Sequence, residues 1–374
     1  MRTYSSSQTL RKEMVFRRAV VVFLGCLGIA YQTSKSPPPT PAESTNSSSP
    51  SSPSSPSSSS SDDDLVVGTL RVRLSDGRYL AYRERGVPIN KSNYKVIIVH
   101  GFGSSKDMNF MASQELLDEL GIYLLLFDRA GYGESDPNPK RSVKSEAVDI
   151  QELADKLQLG SKFYVVGVSL GILPHLELAG VAMVVPMINY NWPSLPIDLT
   201  KGDYRKSLSR WSLRVAHYTP GLLHWWLTQK MFRSSAVLDR NPAFFCPKDL
   251  EVLKNTPGYQ LLCKNQLQEP NVFDTHRRDF VVAFSKWDFD PLDMINPYPK
   301  NESTVHIWQG YEDKVVPFSL QRYVSRKLPW IRYHEVPDGG HLLVYDSVVC
   351  EAILRSLLLG EDPPPLYRPA VSVN

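Results

Sequence analysis

Phe163-Tyr164-Val165-Val166-Gly167-Val168-Ser169-Leu170-Gly171 is the stretch on which the reading of this chain turns. A short, β-branched apolar run ends directly in a G-x-S-x-G pattern. Apolar side chains at consecutive positions mark a strand buried on both faces of a parallel sheet. The flanking glycines allow a sharp strand-to-helix turn, which lifts the Ser169 hydroxyl above the sheet edge. Reading outward, Lys95–His100 (KVIIVH) and Ile122–Phe127 (IYLLLF) have the same character, and Thr69–Leu74 and Tyr79–Arg85 form a hairpin across Ser75–Arg78. Helical patterns sit at 113–120 and 143–157. An apolar run, Val181–Ile188, precedes residues 191–297, which lack strand alternation and hold Trp192, Trp211, Trp225, Trp226 and Trp287. Strand and helix then alternate again: Ser303–Trp308, a helix at 318–328, Ile331–Val336, and a helix at 346–358. The prediction is an α/β fold, a mostly parallel open sheet with a helical cap inserted over 191–297, above the carboxyl ends of the strands.

The amino-terminal flank is of another kind. Residues 1–18 carry Arg2, Arg11, Lys12, Arg17 and Arg18 against Glu13, a local +4 within a formal net charge of +3, so the remainder sits near −1. That leaves no basic excess and argues against a nucleic-acid partner. The apolar run Ala19–Tyr31 is thirteen residues long, short of the ~20 that span a bilayer comfortably. A basic flank and an apolar core read as a secretory signal, either an anchor holding the protein at a membrane or a segment cleaved near Gly28 and Ala30 to release it. Ser5–Ser7 and the scarcity of acids leave a plastid transit peptide as the other option. Residues 32–64, a Pro/Ser-rich tract, cannot bury enough apolar area to offset chain entropy and read as a disordered tether. The folded domain is then 65–359, with 360–374 as a tail. In a lumenal setting the sequons at Asn46, Asn90 and Asn301 become glycosylation sites. Cys26, Cys246, Cys263 and Cys350 form no C-x-x-C pair and no Cys/His cluster, which argues against a disulfide framework or a zinc site.

Three further segments carry chemistry. His100-Gly101-Phe102-Gly103 closes the strand before it, and its loop would offer the Phe102 N–H opposite the Leu170 N–H, two donors for a developing oxyanion; a Gly-rich turn with a packed histidine is the alternative. Asp313 follows the strand ending near Trp308, with Glu312 as a competing acid. His341 follows the strand Ile331–Val336. Ser169, Asp313 and His341 thus lie in that chain order, each at the carboxyl end of a strand, the edge where open α/β sheets form sites. In that arrangement His341 takes the Ser169 proton and Asp313 holds the imidazole tautomer. His175, His217, His224, His276, His306 and His334 have no comparable setting and read as core or surface.

The chain resembles the α/β-hydrolase superfamily over about 68–359, and more narrowly a group of plant members with a hydrophobic amino terminus and a Pro-rich tether. The stretches that carry this are RLSDGRYLAYRERGVP, VIIVHGFGSS, DRAGYGESD (Asp128–Asp136), PMINYNWPSLP, GYEDKVVP and DGGHLLVYD. The resemblance implies the fold, a Ser–His–Asp triad, cleavage of an ester-like bond in a small-molecule or lipid substrate, and no metal or nucleotide cofactor. A serine in the nucleophile position disfavours the epoxide-hydrolase and dehalogenase chemistries that use Asp there.

The chain departs from the family after Gly171. Only nine residues, 172–180, separate it from the strand VAMVVP, whereas a parallel crossover takes about a dozen or more. Pro174 also bars a regular helix interior before it. The helix after the turn is expected to be cut to a turn or two, which keeps a second reading open: a non-catalytic binding protein or pseudo-enzyme on the same fold.

Overall fold

A computed structural model describes residues 69–171, 178–222, 225, 245–255, 270–298 and 305–368. The targeting segment, the tether and residues 172–177, where the shortened helix is expected, lie outside the described residues. Eight strands form one sheet: β1 (Leu70–Arg73), β2 (Tyr79–Gly86), β3 (Tyr94–Val99), β4 (Ile122–Phe127), β5 (Tyr164–Val168), β6 (Gly180–Val184), β7 (Val305–Gly310) and β8 (Ile331–Val336). Their spatial order is β1-β2-β4-β3-β5-β6-β7-β8. Only the β1–β2 and β2–β4 pairs are antiparallel; every other neighbour runs parallel.

The continuous apolar runs supply two cores because alternate residues of a strand face opposite ways. Val96 and Ile98 of β3, with Leu124 and Leu126 of β4, pack against Leu116, Leu117 and Leu120 of α1 (Gln114–Leu120) and against Ile353, Leu354 and Leu357 of the carboxyl-terminal helix, Ser347–Leu359. Ile97 and Val99, with Leu125 and Phe127, face Ile150, Leu153 and Ala154 of α2 (Val143–Lys156). Both helices that flank the central strands start on capping serines: Ser113 accepts from the Leu116 N–H, and Ser142 forms a reciprocal box with Ser145.

Between β6 and β7 the described residues form helices and turns: α3 (Tyr204–Tyr218), α4 (Pro247–Asn255) and α5 (Pro270–Phe284). After β7 come α6 (Phe318–Lys327) and, after β8, α7 (Ser347–Leu359). Two strand ends differ from the sequence reading: β7 runs to Gly310 rather than Trp308, and β6 stops short. The apolar run to Ile188 continues past the strand, but β6 ends at Val184 because Val185 adopts a left-handed φ of +46° and Pro186 has no N–H to donate. Among the described residues, no helix is long and apolar enough to cross a membrane.

Candidate active site

β5 delivers Ser169 into a left-handed backbone conformation, φ +53°, which a non-glycine residue adopts only under constraint. The constraint comes from the neighbouring strand end. The Ser169 N–H donates to Val184 O at 2.9 Å, and the Met187 N–H donates to Ser169 O at 3.1 Å. A side chain at Gly167 would collide with the Gly171 carbonyl, so the tight turn needs glycine there. The Gly171 N–H closes it by donating to Val168 O at 2.8 Å.

Three of the residues singled out from the sequence meet here. His341 Nε2 lies 3.1 Å from Ser169 Oγ, and its Nδ1 lies 2.9 Å from Asp313 Oδ2. Asp313 is held from both oxygens. Oδ1 accepts from the Val315 and Val316 N–H groups at 2.8 and 2.9 Å, and Oδ2 also accepts from Gln309 Nε2 at 3.0 Å. Gln309 is fully buried at the end of β7. Glu312, the competing acid, is exposed, and its N–H binds Gly339 O at 2.9 Å. Burial works against charge on His341, but the Asp313 charge and hydrogen bond, with a further contribution from Asp249, overcome it and hold the imidazole pKa above its ordinary 6.5.

The loop carrying Phe102 lies against the same turn. A Cβ on Gly101 would stand 3.2 Å from Ser169 Cβ and 3.1 Å from Val168 O. His100 is a packed histidine. Its Nε2 accepts from the Arg129 N–H at 3.0 Å, its Nδ1 binds Gly101 O at 2.8 Å, and burial keeps it neutral with a pKa well below ordinary. Phe102 is half-buried, its ring set edge-on to His276 of α5 at 5.1 Å.

Behind the loop, the segment Asp128–Asp136 binds α5. Arg129 Nη2 donates to Asp279 Oδ2 at 2.5 Å, Tyr132 Oη donates to the same oxygen at 2.6 Å, and Arg141 Nη2 pairs with Asp279 Oδ1 at 3.0 Å. Glu146 of α2 completes the cluster against Arg129 and Arg141. Two cations thus face two carboxylates, all buried. A small open cleft beside Leu170 is lined by apolar side chains, among them Met187, Val282 and Trp287, and also by Glu146 and Asp279. The residues that sequence reasoning missed are Gln309, Asp279 and Asp249. Gln309 had a signal, a polar residue at the end of an otherwise buried strand.

An open α/β sheet with a serine turn, an acid and a histidine at the ends of β5, β7 and β8 defines a hydrolase-fold protein. Residues 96–352 match the alpha/beta hydrolase family, and the chain belongs to it. No curated protein matches the sequence. Among solved structures it is similar to a hydrolase from Pseudomonas aeruginosa PA01, with a TM-score of 0.51 and 18% identity, covering 78% of this chain and 98% of that one. An α/β hydrolase enzyme from a Medee basin deep-sea metagenome library gives a TM-score of 0.51 at 17% identity, over 77% of this chain and 96% of that one. An esterase from Exiguobacterium antarcticum gives 0.50 at 15%, over 74% and 93%. At these identities the likeness is one of fold.

Proposed function

We propose that this chain is a serine hydrolase cleaving a carboxylic ester, thioester or lipid ester. The observation that carries the reading is the continuous relay Ser169 Oγ–His341–Asp313, at 3.1 and 2.9 Å, beneath a strained serine. Ser169 Oγ attacks the acyl carbon while His341 Nε2 takes its proton; Asp313 holds the Nδ1–H tautomer and stabilises the imidazolium. The Phe102 and Leu170 N–H groups receive the oxyanion. His341 returns the proton to the leaving alcohol or thiol, and water repeats the sequence to free the acid. The apolar side of the cleft beside Leu170 takes an acyl or alcohol group, and the inserted helices act as its lid. That esterases share the fold supports this reading without naming a substrate. Labelling by a fluorophosphonate probe, abolished by Ser169→Ala, tests it. An unlabelled parent chain favours the second reading, a non-catalytic binding protein, whose support is the short segment after Gly171.

We propose further that residues 1–31 direct the protein to the secretory pathway and hold it at a membrane through the 32–64 tether. Fractionation and glycosidase treatment test this. A full-length soluble product that no glycosidase shifts refutes it, and retention in a plastid supports the transit alternative.

A further inference from the structure

Asp249 stands in the first turn of α4, where an acid ordinarily serves its own helix end. It does so here in part: the Cys246 N–H donates to Oδ2 at 3.2 Å. Its remaining capacity goes elsewhere. Oδ2 also accepts from the His341 N–H at 3.0 Å, and Oδ1 accepts from the Leu342 N–H at 2.9 Å, across 92 and 93 residues of chain. The carboxylate is 2% exposed. It reaches these amides because residue 340 is glycine; a side chain there would overlap both carboxylate oxygens.

We propose that Asp249 is a positioning residue for His341: from the inserted helix α4 it fixes the backbone that presents the imidazole and adds negative charge beside it. Hydrogen bonds from backbone N–H to a buried carboxylate are among the stronger ones, and two successive amides fix the turn's orientation as well as its place. The other groups around the turn leave this role to Asp249. Asp313 serves the Nδ1 edge of the ring. Lys248, the next residue in α4, is engaged by Asp346 at 2.9 Å and Asp338 at 3.4 Å. Cys246 is a buried thiol whose pKa burial pushes up, so it is neutral. The charge of Asp249 works with that of Asp313 to raise the His341 pKa, against the effect of burial.

The effect on rate rests on the hydrolase reading; the effect on the imidazole does not, and the test separates them. Asp249→Asn, in the full-length chain with ¹³C-labelled histidine, keeps the size and one acceptor oxygen but removes the charge. The His341 ring signal is identified by its loss in His341→Gln. The expected result is a downward shift of the His341 titration midpoint in Asp249→Asn. With it goes fluorophosphonate labelling slower by roughly 10–100-fold, the loss that small misplacements of reacting groups produce. On a short-chain aryl ester the loss falls in kcat with KM near the parent's. A folded variant with an unmoved midpoint, or labelled at the parent rate, overturns the proposal. Should the variant fail to fold, the parent chain still decides: the His341 and Leu342 amide protons must exchange slowly and resonate downfield, and fast exchange at both overturns it. If the parent is never labelled, the hydrolase reading fails while the titration still judges the hold of Asp249 on His341.

Discussion

Replacing Asp279 by alanine unbalances the buried cluster that joins α5 to the segment after β4. Asp279 accepts from Arg129 Nη1 and Nη2 at 3.1 and 2.5 Å and from Tyr132 Oη at 2.6 Å, and it pairs with Arg141 Nη2 at 3.0 Å. The side chains of Arg129 and Arg141 are only 3% and 2% exposed, so water does not replace the lost acceptor. Two guanidiniums then share Glu146, and the interior holds one uncompensated positive charge. Breaking a buried pair from one side costs ~3–5 kcal/mol, and the Tyr132 O–H, which loses the acceptor of its proton, adds to that. At the low end of the ~2–4 °C per kcal/mol seen for smaller domains, about 2 °C for a domain of this length, the melting temperature falls by roughly 6–10 °C. Thermal unfolding followed by circular dichroism measures it. Asp279→Leu combined with Arg129→Met removes one charge of each sign and recovers most of the loss, because Arg141 and Glu146 remain paired. Burial opposes ionisation of Asp279, yet the two arginines hold its carboxyl well below the ordinary 3.8. The folded value is the lower one, so the stabilisation is complete above the unfolded carboxyl's range and lost as pH falls toward the folded value. Parent and alanine variant therefore converge in strong acid. A single variant melting within about 2 °C of the parent, under 1 kcal/mol on that scale, refutes the reasoning.

Three other outcomes are expected. His341 acts as a base only when neutral and its pKa is raised, so kcat/KM rises with pH through a midpoint above 6.5; a midpoint at or below 6.5 removes Asp313 and Asp249 as its cause. Asp313→Asn lowers turnover by roughly 10⁴-fold, as loss of the orienting acid does in serine proteases, whereas the exposed Glu312→Gln stays near the parent rate; equal losses in the two would reassign the acid. His306 and His334 touch at 2.9 Å between β7 and β8, and burial drives their pKa values down to about 3 and about 4. Unfolded imidazoles protonate first as pH drops below 6.5, so stability declines from there toward the folded values of about 4 and about 3. Urea unfolding at successive pH values should show that decline flattened by His334→Gln, and an unchanged slope would exclude the pair as its source.

How much of this was legible in the sequence depends on whether the determinant is local. β4 and β8 have the limits read from the sequence, and β3 and β5 fall within a residue of theirs. For β3, β4 and β5 the reason is that strands buried on both faces cannot hide their composition, whereas β8 is an edge strand with Arg332 exposed. The strand reading VAMVVP runs two residues past the end of β6, since hydropathy cannot see that Val185 turns left-handed while remaining wholly buried. Ser169, Asp313 and His341 were legible because a strand end is a local feature, and the sheet carries each to the same edge. The sequence favours Asp313 and keeps Glu312 as a competitor; the fold turns the first inward and leaves the second in water. Asp249 was out of reach of any sequence argument. Within Pro247-Lys248-Asp249 it is an ordinary acid in a first helical turn, and its partners lie some ninety residues away.

The arginine–carboxylate cluster has a further consequence, in time rather than in place. Arg129 and Asp279 are separated by 150 residues, and that whole length of chain must be brought round before their contact forms. Contacts between such distant partners come late in assembly. Bonds absent at the barrier to folding do little for the speed of formation and act on the speed of escape. The helix that walls the cleft is therefore seated by a slow-release catch: α5 departs only when two guanidiniums and a phenol let go together. For the folded chain, that catch sets a lifetime.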